Sequence, residues 1–344
     1  MAEFYAVLIS GLLIGMLFGI ILQRGRFCMN SAFRDIILLK EYKLIKSVAL
    51  ALLTCMAGFG IMGLAGWVTW NPKPLFAYGS IIGGFVFGLG MVLAAGCASG
   101  TTYRVGEGMM GSLVALVGLA IGAFTTKSGA LSGVTTALQS VSTGGITVFG
   151  DLTPLFCLII GVIGLVVTFY FWVFKEIKAK REKFFDFSNL GENIFKKGWS
   201  WYSTGYLIGI INIIAWPLSA AAGRNYPLGI TAGWIGNLKY LVTGDVAALS
   251  WISWLVLGVI VGALIASLIA GEFKLRTPKE GKTILLQFLG GFIMGFGAVV
   301  ASGCNVGNLL SGIPQLSVGS IVSSVGIVLG CWFLAFLLFR EKDD

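Results

Sequence analysis

Long, nearly unbroken runs of apolar residues alternate with short polar stretches along the whole chain. The runs fall near residues 5–22, 48–70, 79–96, 111–126, 154–174, 204–220, 249–270, 284–301 and 318–339. Each is close to the length at which a helix crosses the hydrocarbon of a bilayer. A shorter apolar stretch near 228–242 predicts a re-entrant or surface helix. The first run has no basic segment before it and no small-residue cleavage site after it, so it reads as a span and not a signal peptide. The pattern predicts an all-α polytopic membrane protein of about nine transmembrane helices plus short re-entrant helices.

Composition agrees. Charged residues are 11% of the 344, apolar residues are 57%, and the mean hydropathy is +0.91. Soluble domains carry ~25% charge. The net charge of +9 is unevenly spread. With the N-terminus outside and strict alternation, 20 of the 24 Lys and Arg fall in cytoplasmic segments. The outer loops keep only Lys73, Lys127, Arg224 and Lys239. The positive-inside rule therefore predicts a cytoplasmic C-terminus. The most basic segment, 175–203, also carries acids and reads as an amphipathic connector and hinge. It separates a first half, 1–174, from a second half, 204–344.

The halves repeat one another. GFVFGLGMVLAAGCASG at 84–100 matches GFIMGFGAVVASGCNVG at 291–307 in nine of seventeen positions. GSLVALVG from 111 matches GSIVSSVG from 319, and GLLIG at 11–15 matches GYLIG at 205–209. Gly25-Arg26 has its counterpart in Gly223-Arg224. Matched spans run in opposite directions under the expected topology. The sequence therefore predicts an inverted repeat with a pseudo-two-fold axis, whose substrate site lies near the midplane where broken helices meet. Gly84 with Gly88, and Gly291 with Gly295, read as helix-packing motifs. Gly96 and Gly100 around Cys97, and Gly303 and Gly307 around Cys304, read as helix breaks that free backbone N–H groups for an anion.

There is no histidine, which excludes a Ser-His-Asp triad and any His-ligated metal or haem. Neither a metal nor another cofactor is expected. Six cysteines occur and none forms C-x-x-C. Cys55, Cys157 and Cys331 lie inside apolar runs and read as small hydrophobes. Cys28, Cys97 and Cys304 each end a span among small and polar residues, as in Gly96-Cys97-Ala98-Ser99-Gly100. The matched pair Cys97 and Cys304 is expected close together at the centre. Three chemistries could use such thiols: a Cu(I) path, thiol redox, or recognition of a sulfur-containing anion. Methionine clusters for copper are missing beside the cysteines. Neutral S–H groups in apolar surroundings suit a soft anion, and several weak sites in series allow passage where one tight site would trap.

The strings GRFCMNSAFRD at 25–35, GCASGTTYRVGEG at 96–108 and SGCNVGNLLSG at 302–312 resemble the YeeE/YedE sulfur-transport family over essentially the whole chain. The resemblance implies an hourglass-like protein of the inner (plasma) membrane that takes up thiosulfate. It maps the family's three cysteines onto Cys28, Cys97 and Cys304, passing the ion by S–H···S contacts at a narrow waist. It also implies a small cytoplasmic TusA-like sulfur-carrier protein as a partner. A sibling branch linked to selenium carries a GCPxRQ-type motif where this chain has Ala98-Ser99-Gly100-Thr101.

Around these cysteines, Arg26 and Arg104 are candidates to meet the anion, or to pair with Glu107, the one acid at possible membrane depth. Asp35, Asp151 and Asp245 are expected in loops. Asn30, Ser99, Asn305 and Asn308 are candidate neutral donors or helix caps, and Gly96, Ala98 and Gly303 complete the candidate pathway. Gly281-Lys282-Thr283 lacks the first glycine of a Walker motif, which is Arg276 here. A transporter with thiosulfate and membrane lipid as its partners, and no nucleic acid, is the leading expectation. A membrane sulfurtransferase or thiol redox enzyme, and a transporter of a selenium compound, are the alternatives.

Overall fold

The computed structural model describes residues 2–180 and 196–339. Among the described residues the chain is helical, with three isolated bridges between loops and no strand. The helices are α1 (Ala2–Arg24), α2 (Met29–Leu38), α3 (Lys43–Leu64), α4 (Gly79–Leu93), α5 (Ala98–Gly106), α6 (Met110–Ser128) and α7 (Ser132–Leu138). They continue with α8 (Thr153–Thr168, extended by a wider turn over Phe169–Phe174), α9 (Lys175–Lys180), α10 (Trp201–Ala221), α11 (Thr231–Thr243), α12 (Trp251–Ile269), α13 (Gly281–Val300) and α14 (Val318–Phe339). Among the described residues nine helical segments are long and apolar enough to cross a membrane, matching the nine apolar runs. This is a multi-pass membrane protein.

Two expected loops contain short helices. The 23–46 segment holds α2, and 98–110 holds α5. Asp35, expected in a loop, lies in α2 beside Arg34, which donates to it at 2.9 Å. The misplacement is understandable: α2 follows α1 after only four residues, and no apolar run marks it. The connector 175–203 falls partly outside the described residues. Its described end is tied back to α1, where the Trp199 N–H donates to the Arg24 carbonyl at 3.0 Å.

Helix partners are exchanged between the halves. α4 packs on α14, and its counterpart α13 packs on α6. α1 packs on α12, while its counterpart α10 packs on α3. α4 and α13 also pack on each other. Without water to drive association inside a bilayer, close backbone approach supplies the dispersion energy, and small residues permit it. A Cβ placed on Gly84 would lie 2.3 Å from the Ser323 carbonyl oxygen, and one on Gly88 would lie 2.3 Å from that of Ile327. The matched glycines 291 and 295 leave the same room, at 1.9 Å from the Ala115 oxygen and 2.3 Å from that of Leu119. These four glycines are packing residues, as their spacing suggested.

The inter-helix segments sort into two groups by contact. Asn71 donates to the Asn225 carbonyl, Leu75 N–H to Gly144, and Val148 N–H to Leu316. Arg26 pairs with Glu107 and Glu272, and the Met110 N–H donates to the Arg276 carbonyl. Each group gathers segments that strict alternation assigns to one side of a membrane. A cavity of about 500 Å³ opens in the first group, lined by Trp70, Pro72, Thr147 and Asp151 among others.

Candidate functional site

α4 and α13 end in the same way. Ala95 and Ser302, which occupy matched positions, adopt left-handed backbone conformations with φ of 55° and 56°. The helix break thus falls one residue before the glycines that the sequence pointed to. A side-chain-bearing residue there costs roughly 1–2 kcal/mol. At each turn a cation grips the carbonyl of the strained residue. Arg104 Nη1 donates to the Ala95 oxygen at 2.6 Å, and Lys73 Nζ donates to the Ser302 oxygen. The fold has placed a positive charge beside the residue that introduces each cysteine.

Cys97 caps α5. Its Sγ accepts the Gly100 N–H at 3.3 Å and lies 3.4 Å from Ser99 Oγ. Cys28 occupies the equivalent capping position of α2, and its Sγ is 4.0 Å from that of Cys97. Gly100 faces both sulfurs. A Cβ there would sit 2.9 Å from Cys28 Sγ and 3.3 Å from Cys97 Sγ, so a side chain at this position would push the sulfurs from where they lie. Cys304 opens a wide helical turn over Val306–Leu310, and its carbonyl accepts the Asn308 N–H at 2.8 Å.

The three thiols are buried in one continuous core. The pair in contact is Cys28 with Cys97, not the matched pair Cys97 and Cys304. Among the described residues no sulfur–sulfur hydrogen bond reaches Cys304. Cys28 lacks a cysteine twin, so no repeat argument could have paired it with Cys97. The two central turns are joined through Met91: its sulfur accepts from Asn305 Nδ2 at 3.0 Å, and its carbonyl accepts the Gly96 N–H at 3.0 Å. Asn305 Oδ1 is buried with no partner among the described residues. Such an orphan acceptor beside a cysteine turn is a place for a donor such as a water.

The remaining candidates divide by contact. Asn308 Nδ2 donates to the Ala301 and Gly303 carbonyls, at 3.2 and 2.7 Å, and so closes the end of α13. Asn30 Oδ1 accepts from Cys331 Sγ at 3.6 Å. The Ala98 carbonyl accepts from the hydroxyls of Thr101 and Thr102. Arg26 pairs with Glu107 at 2.9 Å, whereas Arg104 is taken up by the Ala95 carbonyl. Cys55 and Cys157 are buried within the helical packing and donate to the carbonyls of Gly209 and Pro314.

Four further residues, Lys73, Arg224, Tyr226 and Glu272, belong to the neighbourhood and were not among the candidate site residues of the sequence. Lys73 lies beside the Cys304 turn, where a Cβ on Gly307 would be 3.1 Å from its Nζ. Its charge faces the Tyr226 ring at 5.2 Å, and Arg224 faces the same ring at 5.5 Å. Tyr226 in turn donates its hydroxyl to the Gly307 carbonyl at 2.8 Å. Glu272, in the α12–α13 connection, accepts from Gln23, Arg24 and Arg26. One signal was present: Lys73 and Arg224 are two of only four cations expected on the outer side, and Lys73 stands between two prolines.

The two ends of the site differ in charge balance. Among the described residues neither Lys73 nor Arg224 pairs with a carboxylate; Arg224 donates to the Tyr226 and Pro227 carbonyls at 2.7 and 2.6 Å. At the opposite end Arg24 and Arg26 are matched by Glu107 and Glu272. Among the described residues no group of three Cys, Asp or Glu converges as a metal site.

Nine membrane-length helices among the described residues, with buried cysteines at the turns that follow α4 and α13, fit the architecture of a membrane transporter. The chain belongs to the sulphur-transport family, whose model matches residues 24–333. It is 40% identical to the thiosulfate transporter TsuA of Spirochaeta thermophila, over 96% of this chain and 99% of that protein. It is 35% identical to the thiosulfate transporter TsuA of Escherichia coli, over 97% of this chain and 96% of that one. A probable transporter, YedE of Escherichia coli, shares 38% identity over a shorter region, 23% of this chain and 20% of its own length.

Proposed function

We propose that this protein imports thiosulfate across the inner (plasma) membrane through a path built from two inverted halves, with Cys28, Cys97 and Cys304 as stations. The end bearing Lys73 and Arg224 faces outward, and the end bearing Arg26 faces the cytoplasm. The observation that carries the reading is the buried Cys28–Cys97 contact held open by Gly100. A neutral thiol is a weak, polarisable donor, matched to the terminal sulfur of thiosulfate. The exchanged helix partners and the matched left-handed turns support the inverted repeat. The two relatives named thiosulfate transporter, alike over nearly the full chain, support the substrate.

The sequence of events follows from charge. Lys73 and Arg224, unmatched by acids, attract the dianion to the mouth beside Cys304. The sulfonate oxygens engage the cations and leave the terminal sulfur for the Cys304 S–H. Cys97 and then Cys28 take over as successive weak donors, so no station binds hard enough to trap the ion. The direct test is uptake of labelled thiosulfate into vesicles holding only the purified protein, with sulfate as the comparison. Saturable thiosulfate uptake that sulfate does not suppress is the expected result; vesicles no more permeable to thiosulfate than protein-free ones overturn the proposal.

Capture should depend on pH. Lys73 lies in the loop between α3 and α4, outside the spans, and burial lowers its ammonium from the ordinary value to about 7, with the Arg224 charge acting in the same direction. The cation is present below that value and lost above it. The half-saturation concentration for thiosulfate should therefore rise as the outside pH climbs through about 7. Lys73→Arg, charged throughout, should flatten this dependence. Lys73→Gln should raise the half-saturation concentration roughly fivefold at pH 6, the loss of ~1 kcal/mol of charge-assisted binding.

A further inference from the structure

The acid–base cluster at the end opposite Lys73 ties together the end of α1, the end of α5 and the α12–α13 connection. α5 runs from Cys97 at its N-cap to Glu107 at its C-cap, a strut of about 13 Å. Cys97 touches Cys28 at one end of the strut. At the other end Glu107 Oε1 accepts from Arg26 Nη1 at 2.9 Å, and Arg26 is two residues before Cys28. The contacts thus close a ring: Cys28, Cys97, α5, Glu107, Arg26 and back to Cys28. Arg26 Nη2 reaches a second acid, Glu272, at 2.8 Å. Gln23 joins the two acids, donating to Glu107 at 3.1 Å and Glu272 at 2.9 Å, and Arg24 also donates to Glu272.

Two features separate this cluster from ordinary surface pairing. Arg26 holds a left-handed backbone with φ of 48°, a conformation costly for a residue with a side chain. Its side chain is 52% exposed, whereas that of Glu107 is 8% exposed, so the pair spans from solvent to interior at this end. The left-handed turn is closed locally, by the Arg26 N–H on the Gln23 carbonyl and the Phe27 N–H on that of Leu22, which leaves the side chain to the two carboxylates. The carboxylates hold it through charge-assisted hydrogen bonds at 2.9 and 2.8 Å, and a dianion competes for the same donors.

We propose that Arg26, Glu107 and Glu272 form an ionic clasp that closes the inner mouth, and that the arriving dianion opens it by replacing the carboxylates on Arg26. This rests on the reading that the ion leaves past Cys97 and Cys28 at this end. The clasp also positions the relay, because it anchors the far end of the helix that carries Cys97. Release then follows when the carboxylates reclaim Arg26, which prevents the last cation from becoming a trap. An outer end whose Lys73 and Arg224 pair with no acid captures; an inner end whose arginine is held by two acids discharges.

The test is cysteine accessibility in membrane vesicles that hold the full chain and expose the Arg26 end to the bath. A membrane-impermeant maleimide is added, and modification of each cysteine is followed by peptide mass spectrometry. In Arg26→Gln and in Glu272→Gln, Cys28 and Cys97 should react about tenfold faster than in the unaltered protein, while Cys55, Cys157 and Cys331 stay as protected as before. Unchanged rates at Cys28 and Cys97 in both variants overturn the clasp. A rise at all six cysteines in both variants also overturns it, since the cluster would then hold the bundle and not the mouth. Thiosulfate uptake in the same vesicles is scored separately. Its absence in the unaltered protein removes the transport reading without altering the labelling outcome.

Discussion

Replacing Cys97 with alanine should abolish thiosulfate-dependent growth and cut uptake at least roughly tenfold, while the protein still inserts at normal levels. Cys97 does three things at once. It caps α5 through the Gly100 N–H, it meets Cys28 at 4.0 Å, and it lies next to Ser99 Oγ. Alanine removes the relay station and the cap together. A lost station of ~1.5 kcal/mol is worth about a factor of ten in rate, and a gap between stations in a dry channel adds to this. Cys97→Ser separates the roles. A serine Oγ caps the helix as well as or better than sulfur, so insertion and stability should match the unaltered protein. It is a hard donor to soft sulfur, so uptake should still fall. Equal uptake by Cys97→Ser and the unaltered protein would show that the thiol's role is capping alone. Vesicle uptake normalised to protein content is the measurement.

Gly291→Val should prevent the two halves from packing. The Cβ of even a small side chain at 291 would lie 1.9 Å from the carbonyl oxygen of Ala115, and the atom in its way is helix backbone, which cannot rotate aside. α13 and α6 would have to separate, losing contacts along their shared face. Overpacking of this kind costs about 3 kcal/mol or more, a large share of a typical stability. The expected outcome is loss of monodisperse protein on extraction in mild detergent, followed by size-exclusion chromatography. Gly133→Ala is the matched control. It lies in α7, where a Cβ meets nothing within 4 Å, so the change should be neutral or slightly stabilising. Comparable loss in both variants would contradict the packing account.

The apolar runs made the nine spans legible, because a bilayer imposes one length and one polarity on every crossing helix. The packing glycines were legible for the same reason: only small residues allow backbones so close. What escaped was whatever depends on contact between distant segments. The pairing of Cys28 with Cys97 brings together the N-caps of α2 and α5, 69 residues apart in the chain, and no internal repeat encodes it. Ala95 and Ser302 are unremarkable in sequence: their left-handed turns are closed by backbone hydrogen bonds at the helix ends, and Arg104 and Lys73 reach their carbonyls from outside the turn. Lys73 was counted for topology, and its place beside Cys304 depends on the fold of the α3–α4 loop. Glu272 sat in a basic segment and gave no sign that it would meet Arg24 and Arg26 from the other end of the chain.

The noncovalent passage of sulfur is the claim on which the rest stands, and peptide mass spectrometry of Cys28, Cys97 and Cys304 after sustained thiosulfate uptake tests it most directly. Vesicles are loaded through many turnovers, quenched with a thiol-alkylating reagent under denaturation, and digested. The account predicts free, alkylatable thiols at all three positions and intact thiosulfate inside the vesicles. A persulfide retained on any of them, with sulfite released in proportion, would contradict it and identify a sulfurtransferase in place of a relay.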